Sequence, residues 1–130
     1  RLYWKRFATI NKAMNLFEEA EFGYRKAVEF GDYQLDTWLF WVDMMQNMGE
    51  TNNAILTLIQ ASEYFPEECE IEYRLSGLHF SLHEEEKGNF HLSNGLRLNS
   101  KHSTILAELF PRVWERPSVQ EYIAKHQKPE

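Results

Sequence analysis

Trp4, Ala20 and Ala27 recur as Trp38, Ala54 and Ala61, each 34 residues further along the chain. A second step of the same length reaches Gly88 and Gly95, again small residues. A fixed period of this size means that one supersecondary unit is copied along the chain, each copy too small to bury its apolar face alone. Within a copy the apolar spacing is helical. Leu2, Phe7, Ile10 and Met14 share one face, as do Phe17, Ala20, Tyr24, Ala27 and Val28. Turn-compatible residues separate such runs every 14 to 20 residues, the rhythm of short antiparallel helix pairs. Strand-type alternation is scarce, and 4 Pro and 6 Gly leave little turn punctuation for an all-β chain. The expected class is all-α.

The register can be written out residue by residue. The first unit reads Trp4, Phe7, Ala8, Asn11, Ala20, Tyr24, Ala27, Asp32, and the second Trp38, Trp41, Val42, Met45, Ala54, Leu58, Ala61, Pro66. The third reads Glu72, Leu75, Ser76, His79, Gly88, Leu92, Gly95, Ser100. Small residues let the second helix of a unit approach its neighbours, and the large ones fill the space between helices. The turn inside each unit falls at Asn15, Gly49 and His83, residue types that tolerate a left-handed backbone. The third unit departs from the others. It lacks the Trp, and its two glycines should loosen the helix by up to ~1 kcal/mol per site.

This skeleton resembles that of the tetratricopeptide repeat family over residues 1–102. The resemblance implies a right-handed α-α superhelix of one domain, residues 1–130, with repeats at about 1–34, 35–68 and 69–102. Residues 103–130 then form a C-terminal capping segment, which a stacked array requires because its last unit otherwise exposes an apolar face. Ile105, Leu106, Leu109 and Phe110 give that segment a short apolar face broken at Pro111. Ser118 with Glu121 has the spacing of a capping box opening a last helix through Val119, Tyr122 and Ile123. The tail resembles the C-terminal ends of bacterial members of the family. Arg1 stands inside a repeat, so further repeats are expected upstream of it.

The charge is −6 and uneven. No Lys or Arg lies between Ala27 and Tyr73, while Glu29, Asp32, Asp36, Asp43, Glu50, Glu63, Glu67, Glu68, Glu70 and Glu72 do. Many acids stand at expected helix starts, where they complement the helix dipole: Glu18 and Glu19, Glu67, Glu68 and Glu70, and Glu84 to Glu86. The acidic balance argues against nucleic acid as a partner. No apolar run approaches the ~18 residues of a membrane span, so no membrane partner and a cytoplasmic location are expected. With one cysteine, Cys69, there is no internal disulfide framework.

Catalytic constellations are thin. The chain has no Gly-rich phosphate loop, nucleophile elbow or His-Glu-x-x-His motif, so no enzyme activity and no cofactor are expected. Acids crowd Cys69 and disfavour its thiolate. His79 and His83 stand four apart, with Glu84 and His91 close in sequence, a spacing that puts two imidazoles on one helix face. His79 also matches an interior position of the repeat and His83 the turn, so packing is preferred to a metal site.

In the family the first helix of each unit lines a groove that holds a peptide or a partner helix. Carried onto this sequence, the groove positions are Lys5, Thr9 and Lys12, then Asp36, Leu39, Asp43 and Gln46, then Glu70, Tyr73, Gly77 and Phe80. The resemblance therefore implies a non-catalytic interaction module whose partner presents apolar side chains and a basic group to Asp36 and Asp43. A structural spacer, or a regulatory appendage of a larger protein with an upstream catalytic domain, is the alternative. Within the cluster Trp38, Leu39, Phe40, Trp41, the two tryptophans match core positions and Leu39 and Phe40 point towards the groove. Family members that grip acidic chaperone tails use five Lys, Asn and Arg residues. Those positions hold Lys5, Thr9, Phe40, Glu70 and Arg74 here; two lack the donor and Glu70 has the wrong sign, so that activity is rejected.

Overall fold

In a computed structural model of the chain, which describes residues 2–31 and 34–126, the 34-residue period reappears in the helix ends. Helices α1 (Leu2–Ala13), α3 (Leu35–Asn47) and α5 (Cys69–Ser81) end 34 residues apart, and α2 (Phe17–Glu29), α4 (Thr51–Tyr64) and α6 (Glu85–Asn99) begin 34 residues apart. A 3₁₀ turn (Ser100–Thr104) and the short helices α7 (Ile105–Leu109), α8 (Pro111–Trp114) and α9 (Pro117–His126) follow. Among the described residues there is no strand. No described helix is long and apolar enough to cross a membrane. Asp32, assigned to the first unit's skeleton, and Arg1 lie outside the described residues.

The turns explain why the helices stop where they do. Asn15, Gly49 and His83 all adopt positive φ, at 60°, 75° and 61°. This swings the next amide back onto the helix just ended. Leu16 N–H donates to Asn11 O at 2.8 Å, Glu50 N–H to Met45 O at 2.8 Å and Glu84 N–H to His79 O at 2.9 Å. Each bond satisfies a carbonyl that the helix end would otherwise leave orphaned. The following helix then starts in the same way each time, with Ala20, Ala54 and Gly88 N–H donating to Leu16, Glu50 and Glu84 O. Of the acids expected at helix starts, Glu18 and Glu19 lie in the first turn of α2, Glu70 in that of α5, and Glu85 and Glu86 in that of α6; Glu68 and Glu84 are the N-caps of α5 and α6, and Glu67 precedes α5.

The chain divides into two compact units, residues 1–64 and 65–130. In the first, α1 pairs with α2, α2 with α3, and α3 with α4. Its core holds Ala8, Ala20, Ala27, Val42, Met44, Ala54, Leu58 and Ala61, all fully buried, with Tyr24 beside them. The small residues Ala20, Ala27, Ala54 and Ala61 of the sequence skeleton are thus sealed from solvent between helices. Trp38 and Trp41 are buried, as their skeleton positions require.

In the second unit α5 is the central element, and every residue from Tyr73 to Phe80 is buried. Helix α6 packs along one side, while α7 and α8 cover another. Helix α9 lies against α6 and buries Val119 and Ile123. Removing side chains of this size from water contributes about 1.5–3 kcal/mol each. The last helix begins one residue before the expected cap. Pro117 is its first residue, and Arg116 O accepts from Val119 N–H and Gln120 N–H. Proline fits that position because its missing N–H is one the helix could not use.

The two glycines of α6 have a packing role that the repeat pattern alone hides. A Cβ on Gly88 would come within 2.7 Å of the Phe80 ring, and one on Gly95 within 2.7 Å of the Tyr73 ring. The corresponding residues one repeat earlier are Ala54 with Gln46 and Ala61 with Leu39. In the third repeat, then, larger rings on α5 occupy the room that smaller residues on α6 leave.

Candidate interaction face

The groove positions of the first unit converge on one polar face of α1 and α3. Lys5 Nζ donates to Asp36 Oδ1 and to Gln34 Oε1, both at 2.8 Å, joining the first turn of α1 to the start of α3. The same ammonium lies 5.8 Å from the centre of the Phe40 ring, within cation–π range. Phe40 stays 39% exposed. Thr9 Oγ1 donates to Lys5 O at 2.9 Å, one turn back on its own helix. Lys12, Asp43 and Gln46 are half-buried along the same line, and Leu39 is buried.

Below Thr9 lies the phenol of Tyr24, which is buried. Burial pushes its pKa up, a hydrogen bond with the Thr9 side chain works the other way, and the Asp43 charge raises it further. The phenol therefore stays neutral where it meets Thr9 of α1. On α1, Leu2, Lys5, Arg6, Thr9 and Ile10 line a shallow depression of about 370 Å³. The face offers a half-exposed aromatic ring, an ammonium and two carboxylates within a few helical turns. Such a surface can seat an extended peptide or a helix.

The groove positions of residues 65–130 are placed differently. Tyr73 and Phe80 are buried inside the hairpin, against Gly95 and Gly88, and Tyr73 Oη donates to Asn99 O at 2.7 Å. Gly77 is covered by Phe110 from the junction of α7 and α8, so close that an added Cβ would meet the ring at 2.3 Å. Glu70 pairs with Arg74, with Nε and Nη2 each 3.0 Å from Oε2. The chain's own residues thus occupy this stretch of α5. The positions compared with the chaperone-tail clamp, Glu70 and Arg74, satisfy each other.

Two histidines pair with carboxylates. His79 Nδ1 lies 3.1 Å from Glu84 Oε1 and His91 Nδ1 2.6 Å from Glu72 Oε2, and the two rings stack with centres 5.4 Å apart. The His79 hydrogen bond is the main reason the Glu84 carboxyl sits below its ordinary range. His83 stands exposed at the turn. Among the described residues no three His, Cys, Asp or Glu side chains are grouped to hold a metal ion. Cys69 is buried, its Sγ 3.4 Å from His102 Nδ1. Burial pushes its thiol pKa up, and Glu68 and Glu70 push it further, the opposite of what a nucleophilic cysteine needs.

The Lys5–Asp36 pair is the feature that sequence reasoning missed. The sequence places both residues in one groove, Lys5 as a basic flank and Asp36 as an acceptor for a partner's cation. Their relation was nonetheless present in the repeat, since a lysine one turn into one unit faces the first turn of the next. No family model matches the chain, and no curated protein does.

Proposed function

We propose that the chain is part of a tetratricopeptide-type array, a right-handed superhelix of three 34-residue hairpins capped by residues 103–130. In this reading it is a non-catalytic module that binds a protein partner through the α1–α3 face. The partner segment is extended or helical and carries apolar side chains next to a basic one. Its apolar residue rests on Phe40, and its cation meets Asp43 and the outer side of Asp36. The observation that carries this reading is the polar face itself, with Lys5, Phe40 and Asp36 held in register by the 2.8 Å contact between two successive repeats.

Selecting a displayed peptide library on the chain tests the reading. Enriched peptides should combine Lys or Arg with Leu, Phe or Trp, and should bind Asp36→Lys/Asp43→Lys at least ~10-fold more weakly, since two reversed charges repel the cation. Enriched peptides whose binding ignores the double reversal would remove the groove assignment.

One observation favours the spacer reading as well: Lys5 already neutralises Asp36 at 2.8 Å, and α5 keeps no open groove residues between Tyr73 and Phe80. A selection that enriches no peptide is the result this alternative expects.

A further inference from the structure

We propose a second binding site on unit 1, in the crevice between α2, α3 and α4, that takes a lysine or arginine side chain of a partner protein. The site lies on the other side of α3 from the face described above. Trp38 and Trp41 are two and five residues beyond Asp36, and at 3.6 residues per turn they point roughly opposite to Asp36, Phe40 and Asp43. The crevice has a volume of about 270 Å³, and no part of the groove reading uses it.

Its floor and wall are aromatic. The Trp38 and Trp41 rings are inclined by 29° with centres 6.1 Å apart, and the Tyr64 ring centre lies 5.7 Å from that of Trp38. Trp38 is 3% exposed and Trp41 7%, while Tyr64 forms an exposed side. Trp41, although more than nine-tenths buried and lining the crevice, has an indole N–H with no acceptor among the described residues. A buried donor left without a partner is unusual in a folded chain.

The rim is acidic. Glu29 and Glu63 stand one repeat apart, at the ends of α2 and α4, and both line the crevice. Glu29 is engaged by Lys26 at 3.2 Å, whereas Glu63 forms no ion pair with any described residue. Arg25 is the one cation in the lining, and Glu21 neutralises it at 2.6 Å. Aromatic walls below a free carboxylate suit a long side chain with an apolar stem and a cationic head. The stem packs on the rings, and the head meets both the ring faces and Glu63.

Nitrogen-15-labelled chain is titrated with three blocked tripeptides, acetyl-Gly-X-Gly-amide with X as lysine, norleucine or glutamate. The indole N–H signals are assigned with Trp38→Phe and Trp41→Phe. The lysine peptide should shift the Trp41 indole signal and bind at least ~5-fold more tightly than the norleucine peptide, with the glutamate peptide weakest. Glu63→Gln, an exposed change that leaves the fold intact, should erase the preference for lysine. Asp36→Lys/Asp43→Lys should leave it unaltered, which separates this site from the groove. Equal binding of the lysine and norleucine peptides, no shift of either indole, or a lysine preference that survives Glu63→Gln would each overturn the proposal.

Discussion

Replacing Gly95 by Ala puts two opposing effects in direct competition. In a solvent-facing helix the change stabilises by about 1 kcal/mol, because glycine loses more backbone entropy on folding than alanine. Here the new methyl would sit 2.7–2.9 Å from three atoms of the Tyr73 ring, against an ordinary carbon–carbon contact of about 3.5–4.0 Å. The ring must retreat by close to an ångström. It has little freedom to do so, being fully buried and tied through its hydroxyl to Asn99 O at 2.7 Å. Overpacking of this kind costs about 1–3 kcal/mol. The net expectation is a destabilisation of ~1 kcal/mol. Adding Tyr73→Leu to Gly95→Ala recreates the Leu39–Ala61 combination one repeat earlier and should recover at least ~1 kcal/mol relative to the sum of the single changes. Urea unfolding followed by circular dichroism gives all four corners of the cycle. If Gly95→Ala stabilises the chain, or if the two changes are additive, the ring does not fill the space left by the glycine and the packing of α5 on α6 is misread.

Truncating Trp41 to Ala should cost ~3–5 kcal/mol in the same assay, and a cost below ~1 kcal/mol would show that it is not a core position. The buried phenols set the alkaline limit. Burial raises the pKa values of Tyr24 and Tyr73 above the ordinary 10.0, so the unfolded chain loses these protons first. Their contribution to stability is complete below about pH 10 and is lost as pH rises from there towards the folded values. Phenolate absorbance should show these two residues ionising later than the other tyrosines, and Tyr73→Phe should flatten the fall in stability above pH 10. A Tyr73→Phe variant with an unchanged alkaline slope would contradict this.

The turns were legible in the sequence because left-handed backbone is costly for most side chains and the residues that relieve it are few. Asn15, Gly49 and His83 therefore marked the helix ends, and the structure gives all three positive φ. The alanines were legible for a related reason, since close helix approach admits only small residues. The fate of Tyr73 and Phe80 was not legible. Their spacing places them on the same register line as Leu39 and Lys5, and only the combined effect of Gly88, Gly95 and the covering Phe110 turns that line inward. Pairwise packing between residues 8 to 33 positions apart is a tertiary fact that a repeat register does not carry. The start of α9 shows a smaller version of the same limit. Ser118 and Glu121 have capping-box spacing, but Pro117 already has a backbone set for the first helical position.

In the proposed function the α1–α3 face meets a partner through Phe40, Asp36 and Asp43. A photo-crosslinking benzoylphenylalanine in place of Phe40 tests it most directly in cells, with the same residue in place of the exposed Asn52 on α4 as the comparison. The account predicts a discrete adduct from position 40 that disappears when Asp36→Lys/Asp43→Lys is introduced, and none from position 52. Adducts of equal yield at both positions, or an adduct at position 40 indifferent to the charge reversal, would contradict it.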